Sequence, residues 1–479
     1  MSFTPKFIGR KEEILSLEKL LKKKSASLVV IQGRRRIGKS RLVEEFAKNK
    51  VFFEFSGIAP TKKTTKQSQL DEFARQLSIQ TRSPEIKADD WSKLFILLAD
   101  KIKQERVVIL LDEITWMGSK DPDFLGKLKH AWDIYFKKHS QLILVLCGSI
   151  SVWIEENILS STGFLGRISF RMTLEELPLT DCNLFWKGAS GIVSAYEKLK
   201  LLAVTGGVPR YLEEIKYSLS AEENIKDLCF IKGGALVNEF NEVFSDLFSK
   251  RSATYKKIAI ALTSGPLELK EICKKLAVGQ TGFMSKCLDD LIKSGFVTRD
   301  YSWHLNSNEV SRLSFFRLSD NYIRFYLKYM DKNRVKIERN EYFYKSLSLL
   351  PNWESILGLQ FENLVLKNRA LIKKYLRINA GEVISDNPYI QRKTTKISGC
   401  QIDYLIQTKF GTLYVCEIKF KKNPLGMEII KEMRKKIESF HLPKGFSCRP
   451  VLIHVNGAHE DVINSGFFSD IIDFSQFLE

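Results

Sequence analysis

The chain has 479 residues, of which 44% are hydrophobic and 27% are charged, and this composition excludes a disordered or collagen-like protein. Its length exceeds what one hydrophobic core usually serves, so we expect several domains. Lysine and arginine outnumber aspartate and glutamate by 75 to 56, which gives a formal charge of +19. This excess favours a polyanionic partner such as nucleic acid, although a lysine-rich proteome would give the same charge.

The cysteines and the N-terminus indicate the compartment. The eight cysteines are scattered, without the close Cys and His pairs of a zinc site, so we expect reduced thiols. The first residues lack an apolar signal core, and no stretch approaches the ~18 uninterrupted apolar residues of a membrane span. We therefore predict a cytoplasmic protein that does not associate with membranes.

Short apolar runs alternate with amphipathic segments in the first third of the chain. The predicted strands are residues 27–32, 51–56, 106–111 and 142–148. Strands separated by helices are typical of a parallel sheet with helices on both faces, so we predict an α/β domain over residues 1–179. Residues 180–249 have helical patterns interrupted only by Thr-Gly-Gly-Val-Pro, and they are predicted to form a helical lid.

Residues 250–335 are predicted to form a winged helix-turn-helix and a connector. Three helical patterns precede the strand-like residues 296–305, which is the element order of that motif. The apolar positions that define the pattern are Ile258, Ala261, Leu262, Leu269, Ile272, Leu276, Phe283, Leu288, Leu291 and Ile292. Residues 279–291 are the predicted recognition helix, and residues 313–330 a connecting helix.

DNA contact by this motif stays an open alternative. The candidate groove contacts are Gln280, Thr281, Ser285 and Lys286. Asp289 and Asp290 would repel phosphates, and many winged helices dock proteins. A DNA-binding role and a structural role are therefore both compatible with the residues.

The last part of the chain, residues 346–479, is predicted to be a separate α/β domain. It opens with an apolar helical pattern over residues 353–371, and strand-like runs follow at residues 401–407, 412–420 and 450–455. The whole chain is thus predicted to be an α/β multidomain protein.

A glycine-rich segment follows the first predicted strand directly. Residues 33–40, GRRRIGKS, match G-x-x-x-x-G-K-[ST] between a strand and a helix, the context that a phosphate-binding loop requires. In such a loop the amides and the helix N-terminus face the phosphates of ATP, the lysine contacts the β- and γ-phosphates, and the hydroxyl binds Mg²⁺. The residues predicted to contact nucleotide here are Gly33, Arg34, Arg35, Arg36, Ile37, Gly38, Lys39, Ser40 and Arg41.

A second part of the predicted nucleotide site follows the apolar residues 106–111. The strand ends in Asp112 and Glu113, and in phosphoryl-transfer sites such an aspartate completes the magnesium shell while a second group positions the attacking water. We predict Asp112 as a magnesium ligand beside Ser40, and Glu113 as a catalytic residue. The next strand leads to Ser149 and Ser151, which are predicted to sense the γ-phosphate.

These motifs resemble the archaeal-type ATPase family within the AAA-related P-loop proteins. The matching features are Phe-Ile-Gly-Arg at residues 7–10, the arginine-rich loop, the Leu-Asp-Glu strand end, Leu-Gly-Arg at residues 165–167 and Gly-Gly-Val-Pro at residues 206–209. The resemblance implies ATP hydrolysis. A homo-oligomer stays an open alternative, and so does the question whether Arg167 acts in its own subunit or in a neighbour's.

The resemblance also implies roles for residues outside the loop. Phe7, Ile8 and Arg10 would pack against the adenine, and Arg167 would act on the γ-phosphate. Gly207 and Pro209 would belong to the lid near the nucleotide. Taken alone, Arg167 is equally a solvated arginine and Gly-Gly-Val-Pro is only a turn.

Two predicted strands in the last domain carry a cluster of charges. Asp403 is on the first and Glu417-Ile418-Lys419 on the second, with a turn near Gly411 between them. Antiparallel pairing can bring Asp403 beside Glu417, and the spacing of two puts Glu417 and Lys419 on one face. Two carboxylates suit Mg²⁺, and a lysine beside them can orient a water molecule.

This pattern resembles the PD-(D/E)xK nuclease superfamily, with a restriction-endonuclease-like α/β fold. The resemblance implies that Asp403 and Glu417 bind a metal, that Lys419 activates water, and that Glu362 on the opening helix assists the metal. An aspartate and a Glu-x-Lys on adjacent strands also form surface ion pairs often. This short motif is therefore weak evidence by itself.

The combined features predict an ATPase whose nucleotide state controls a DNA-directed, metal-dependent nuclease-like domain. Two alternatives stay open. One is a nucleotide-dependent switch or scaffold that cuts nothing, and the other is a winged-helix DNA-binding regulator.

Overall fold

A computed structural model of the chain describes residues 7–102, 105–149, 152–189, 191–248, 252–342, 346–395 and 398–479. Its internal contacts divide the chain into two compact units, Met1–Glu176 and Leu177–Glu479. No helix in the described ranges combines the length and the apolar character that crossing a membrane requires.

The first unit is built on a five-stranded parallel sheet with the order β2-β3-β4-β1-β5. Its strands are β1 Ser27–Gly33, β2 Val51–Ser56, β3 Val107–Asp112, β4 Leu142–Ser149 and β5 Ile168–Leu174. The first four agree with the predicted strands to within one residue at each end. The fifth was not predicted, because its ISFRMTL sequence is half-exposed and lacks a continuous apolar run.

Helices cover the faces of this sheet. They are α1 Lys11–Glu18, α2 Lys39–Ala47, α3 Lys66–Thr81, α4 Trp91–Ala99, α5 Ile114–Met117, α6 Phe124–Ile134 and α7 Val152–Ile154. One face is filled by aromatic rings, with Phe73 stacked on Phe55 and in edge contact with Trp91 and Phe95. Apolar β1, β3 and β4 are buried along most of their length, as parallel strands between helices require.

The second unit contains a two-stranded and a five-stranded sheet. Its strands are β6 Val297–Trp303, β7 Val310–Leu318, β8 Val383–Gln391, β9 Cys400–Thr408, β10 Thr412–Lys419, β11 Ser447–His454 and β12 Asp470–Asp473. β6 and β7 form an antiparallel hairpin, and the larger sheet has the order β12-β11-β10-β9-β8, with β8, β9 and β10 antiparallel and β10, β11 and β12 parallel.

The helices of the second unit lie before and between these strands in the chain. They are α8 Leu179–Asn183, α9 Ala195–Thr205, α10 Pro209–Leu212, α11 Ala221–Cys229, α12 Glu239–Phe248, α13 Ser252–Ala261, α14 Leu269–Lys275, α15 Gly282–Lys293, α16 Asn321–Phe325, α17 Arg334–Glu338, α18 Trp353–Lys367, α19 Arg369–Tyr375, α20 Glu428–Ser439 and α21 Glu460–Asn464. A π-helical turn, Tyr326–Met330, extends α16.

Three helices and a hairpin occupy residues 252–318 in the predicted order. α15 begins after Thr281, whose hydroxyl accepts the amide of Met284. Two predictions here were wrong. Phe283 is 46% exposed rather than in the core, where Met284 and Cys287 take its place, and residues 313–318 belong to β7 rather than to a connecting helix.

The hairpin is packed on the C-terminal sheet. The Trp303 indole donates to the Gln407 side chain, and the Ser302 hydroxyl donates to the Ile390 carbonyl at 3.1 Å. Gln407 in turn donates to the carbonyl of Leu305 at 2.8 Å. Trp303 and Leu305 also belong to the hydrophobic core of the C-terminal sheet, so the hairpin and that sheet share one core.

A buried polar network joins the hairpin to α18. Arg317 on β7 donates to Asp300 on β6 at 2.8 Å, and another of its nitrogens donates to Asn363 on α18. Asn363 also donates to Asn321 at 3.0 Å. Because Arg317 and Asp300 are both nearly solvent-free, this pair depends on its partners to offset desolvation.

Candidate functional site

The glycine-rich loop lies at the carboxyl end of β1, where it leads into α2. A Cβ on Gly33 would approach Ile37 and the Leu174 carbonyl oxygen to 2.9 Å, so the close packing there requires glycine. Gly38 has a φ of 89° and precedes the first turn of α2. The sequence therefore forms the tight loop before a helix that was predicted.

The lysine of the motif folds back over the loop. Lys39 is buried, and its ammonium donates to the carbonyl oxygens of Gly33 and Arg34 at 3.2 and 3.3 Å. The helix N-terminus and the lysine thus place positive charge at the same point. This combination suits an anion such as a phosphate group.

The two predicted halves of the nucleotide site meet in the structure. The Ser40 hydroxyl donates to Asp112 Oδ2 at 2.6 Å, although the residues are far apart in the chain. The other Asp112 oxygen, Oδ1, accepts the Glu113 amide at 3.0 Å. A hydroxyl and a carboxylate oxygen at hydrogen-bonding distance form a pair of oxygen donors that fits Mg²⁺.

Glu113 and Ser149 lie at the same edge of the sheet. Glu113 follows β3 with a φ of 49° and precedes α5, a backbone conformation that is uncommon outside glycine and frequent at functional sites. Ser149 pairs with Gly33 in the β1–β4 register, which puts it beside the loop as predicted. Ser151 lies outside the described residues.

Arg10 forms hydrogen bonds that hold the loop in place. Its guanidinium is buried and donates to the Ile37 carbonyl at 3.3 Å and to the Glu175 carbonyl at 2.5 Å. This arginine therefore ties the loop to the end of β5. The adenine contact expected of Phe7, Ile8 and Arg10 stays a prediction.

The other arginines of the loop differ in burial. Arg34 is buried near Glu176, whereas Arg35 and Arg36 are half-buried, Arg36 with a φ of 66°. Arg41, on the first turn of α2, pairs with Glu44 at 2.9 Å. Their contact with nucleotide stays a prediction.

Arg167 does not lie near the phosphate loop. It precedes β5, and β5 runs parallel to β1 with Ile168 beside Leu28 and Leu174 beside Gly33. At about 3.3 Å per residue, this register puts Arg167 roughly 20 Å from the loop, at the opposite edge of the sheet. Both Asp133 oxygens accept from its guanidinium at 2.9 Å. An action of Arg167 on a γ-phosphate held by its own loop is therefore excluded.

Sequence reasoning missed an acidic neighbour of this site. Glu54 on β2 is half-buried, and burial, followed by the negative charges of Glu44 and Asp112, raises its pKa to about 7. Glu54 pairs with Leu110 in the β2–β3 register, two residues before Asp112. A glutamate inside a VFFEFS strand was a detectable signal, because a charge interrupts an otherwise apolar run.

The second cluster forms where β9 and β10 pair. The antiparallel register, with Tyr404 beside Cys416, continues to bring Asp403 beside Glu417 as predicted. Asp403 Oδ2 accepts the Ile418 amide at 2.9 Å, and Glu417 is only 3% exposed. Lys419 contacts Glu417 at 3.0 Å on the same face. The predicted cluster of two carboxylates and an ammonium is therefore present.

Helix α20 adds two charges that the sequence did not single out. The Lys436 ammonium contacts Glu417 and lies 3.5 Å from Asp403, so it bridges the two carboxylates. One turn earlier, Glu432 contacts Lys419 at 3.1 Å. Burial acts to lower the pKa of Lys436, but Asp403 and Glu417 raise it above its ordinary value. Their spacing of four residues on an amphipathic helix was the available signal.

Glu362 on α18 completes a cleft of about 480 Å³. The cleft residues are Glu362, Gly399, Cys400, Gln401, Asp403, Glu417, Ile418, Lys419, Glu432, Lys435, Lys436 and Ser439. Burial, then neighbouring negative charge, raises the pKa of Glu362 to about 7 and that of Asp403 to about 6. Carboxyl groups with raised pKa values in a cleft are typical of functional sites.

The carboxylates of the cleft offer oxygen ligands for a metal ion. Among the described residues, no three His, Cys, Asp or Glu side chains are grouped closely enough to hold a metal together. Glu362 lines the same cleft as Asp403 and Glu417, and its helper role at the metal stays a prediction. Two carboxylates still fit Mg²⁺, which binds proteins through one or two carboxylates and takes its other oxygens from water and phosphate.

The fold and the Ser40–Asp112 pair define the first unit as a P-loop nucleotide-binding unit. Residues 7–215 match a family model described as an ATPase domain predominantly from Archaea. This part of the chain, which extends to α10, is accordingly an ATPase domain of that type.

Two curated relatives come from Methanocaldococcus jannaschii. The uncharacterized protein MJECL04 is 25% identical over 363 residues, which are 74% of this chain and 75% of that protein. The uncharacterized ATP-binding protein MJ0423 is 43% identical over 44 residues, 9% of this chain and 75% of that protein.

Solved structures also match this chain. The Walker-type ATPase PABY2304 of Pyrococcus abyssi matches with a TM-score of 0.49 and 16% identity, covering 68% of this chain and 99% of that one. The ORC2 protein of Aeropyrum pernix matches with a TM-score of 0.42 and 14% identity, covering 70% and 96%.

Proposed function

We propose that the chain hydrolyses ATP in its first unit and uses nucleotide state to control a metal-dependent nuclease centre in residues 346–479 that acts on DNA. The observation that carries the nuclease part is the meeting of Asp403, Glu417 and Lys419 in one cleft. The ATPase part is supported by the family match and by the contact of Ser40 with Asp112.

In the first unit each predicted group has a chemical task. Lys39 and the α2 N-terminus attract the phosphates, and Ser40 and Asp112 hold Mg²⁺. Glu113 positions the attacking water, and Ser149 contacts the γ-phosphate from the adjacent strand. No step needs Arg167 of the same chain, so that residue serves a neighbouring copy in a homo-oligomer.

In the C-terminal cleft, Asp403 and Glu417 hold the metal and Lys419 orients the attacking water. A bound Mg²⁺ would polarise a phosphodiester and lower the pKa of water. Exposed Lys435 lines the cleft, and exposed Lys421 and Lys422 follow Lys419 closely in the chain; these charges favour a polyanionic substrate. Gln280, Ser285 and Lys286 on the three-helix module are also exposed, as groove contacts require.

The proposed control rests on the segment that follows the ATPase unit. The Leu177 amide donates to the Gly207 carbonyl at 2.8 Å, and the Leu179 amide donates to the Asn368 side chain at 2.8 Å. Gly207 lies in the Gly-Gly-Val-Pro turn, just before Pro209, and Asn368 ends α18, the helix of Glu362. A shift of this segment on nucleotide binding would move the turn and α18 together.

The proposal also places the protein in the cytoplasm, and the state of the cysteines supports this. All eight cysteines lie in the described ranges, and none forms a disulfide. Free thiols are typical of a reducing compartment, which supports a cytoplasmic protein.

Purified full-length protein incubated with Mg²⁺ or Mn²⁺ and supercoiled plasmid or single-stranded DNA tests the nuclease. We expect cleavage whose rate depends on ATP and is lost in Glu417→Ala. Absence of product from wild type with and without ATP would refute the nuclease, and equal cleavage by Glu417→Ala would assign it to a contaminant.

A non-cleaving, nucleotide-dependent switch is the second candidate. It is favoured by the ion pairs that already neutralise Asp403, Glu417 and Lys419. Such a protein would retain DNA without cutting it, and selective retention of one DNA sequence would identify a winged-helix regulator.

A further inference from the structure

Helix α20 contacts both charged parts of the proposed nuclease centre. Its Lys436 bridges Asp403 and Glu417, which are the proposed metal ligands, and its Glu432 binds Lys419. The two α20 residues are four positions apart and therefore share one face of the helix. A single helix thus supplies the counter-charge for the carboxylates and for the lysine.

Lys436 is held firmly in this position. Its side chain is mostly buried, and Glu417 is almost solvent-free. In such surroundings charges attract and repel more strongly than in water. A second cation that approached the same carboxylates would therefore be repelled by the Lys436 ammonium.

We infer that Lys436 is an internal counter-ion of the cleft that a divalent metal must displace, so that metal binding and the contacts of Lys436 with Asp403 and Glu417 exclude each other. This inference rests on the proposed function, because it takes those carboxylates as metal ligands. Displacement would also weaken the hold of α20 on Lys419 through Glu432. Metal binding would then free the lysine for its proposed role.

The decisive measurement is the affinity of the full-length protein for Mn²⁺ alone, without nucleotide or DNA. We expect Lys436→Met to bind Mn²⁺ at least about tenfold more tightly than wild type, since typical couplings between sites are roughly 5- to 150-fold. Lys435→Met is the matched control, because Lys435 lines the same cleft but is exposed. Its affinity should stay within about twofold of wild type.

The site of the binding is assigned by Lys436→Met combined with Glu417→Gln, which should lose the gain. Equal or weaker binding by a folded Lys436→Met protein would overturn the inference. Hydrogen exchange of wild type provides a second readout that needs no substitution at Lys436. Saturating Mg²⁺ should speed exchange in α20, and unchanged or slower exchange would also overturn it.

Failure of this inference is distinguishable from failure of the nuclease. If Lys436→Met binds Mn²⁺ more tightly but wild type cleaves no DNA, the counter-ion role of Lys436 is supported and the nuclease is refuted. Cleavage by wild type with unchanged Mn²⁺ affinity in Lys436→Met would do the reverse.

Discussion

The phosphate loop and the C-terminal cleft are two charged sites built in opposite ways. The loop is a contiguous segment in which glycines set the backbone path and Lys39 contacts carbonyl oxygens. The cleft gathers side chains from α18, β9, β10 and α20, and its charged side chains form ion pairs with one another. The loop is therefore ready to accept an anion, whereas the cleft must give up internal ion pairs before it binds a metal.

This difference decides which substitutions have large effects. At the loop, a change should act on nucleotide chemistry and leave the fold intact. At the cleft and the network behind it, a change should act on stability as well, because paired buried charges hold the elements together.

The largest effect is expected for Glu113→Gln at the nucleotide site. Removing the group that positions or activates water should slow ATP hydrolysis by about 10²- to 10⁴-fold and leave ATP affinity nearly unchanged. Steady-state turnover and equilibrium nucleotide binding measure the two quantities. Lys39→Ala is the contrasting variant, because it should weaken ATP binding itself. Wild-type turnover in Glu113→Gln would contradict the role of this residue.

The second prediction concerns the network that joins the hairpin to α18. Arg317→Met leaves Asp300 buried without its partner, and breaking such a pair costs about 3–5 kcal/mol of unfolding free energy. Denaturant unfolding, followed by hydrogen exchange in β7 and α18, measures the loss.

Arg299→Met is the matched control on the same hairpin. Arg299 is exposed and contacts the Ser314 hydroxyl at 3.0 Å, so its loss should cost less than about 1 kcal/mol. Equal losses in the two variants would mean that the buried network does not stabilise the second unit.

The two sites also differ in how far the sequence predicts them. The loop could be located because the residues that shape it are adjacent in the chain, and the four apolar strands around it were placed to within a residue. The meeting of Asp403 with Glu417 followed from strand alternation and a short turn. Lys436 could not be assigned, because its partners lie on other elements and an amphipathic helix presents many lysines to solvent.

Three other predictions depended on features that the sequence does not show. Phe283 fits the helical apolar period, but the helix rotates Met284 and Cys287 into the core. β8 was missed because every residue in it is half-buried, which gives no alternation to detect. Arg167 carried the right local motif, but only the β1–β5 register reveals which edge of the sheet it occupies.

A smaller effect is expected from Glu54, the acidic neighbour of the loop. Its folded pKa of about 7 lies above the ordinary value of 4.5, so the folded state holds the proton to higher pH than the unfolded state. The stability from this proton is present below the ordinary pKa and is lost as the pH rises through 7. Between about pH 5 and 8, wild type should lose roughly 1–2 kcal/mol relative to Glu54→Gln.

Glu72→Gln provides a control of opposite sign. A hydrogen bond from Arg75 lowers the pKa of Glu72, so its stability contribution is lost as the pH falls. The Glu72 contribution changes only below the ordinary pKa of 4.5, so denaturant unfolding from about pH 3 to 8 gives both slopes, that of Glu72 in the acid range and that of Glu54 between about pH 5 and 8. A wild-type curve parallel to that of Glu54→Gln would contradict a buried, proton-holding Glu54.

The smallest effect is expected from Arg167→Ala. The pair of Arg167 with Asp133 is partly exposed, so its loss should change the free energy of unfolding little. Because Arg167 lies at the far edge of the sheet from Gly33, ATP turnover at low protein concentration should equal that of wild type. As the concentration rises, wild-type turnover per chain should increase through contacts between copies, and that of Arg167→Ala should stay flat. Asp133→Asn, which keeps the arginine, should still respond to concentration. A large loss of turnover in dilute Arg167→Ala would contradict the strand register, whereas identical concentration dependence in both proteins would remove Arg167 from the ATPase mechanism altogether.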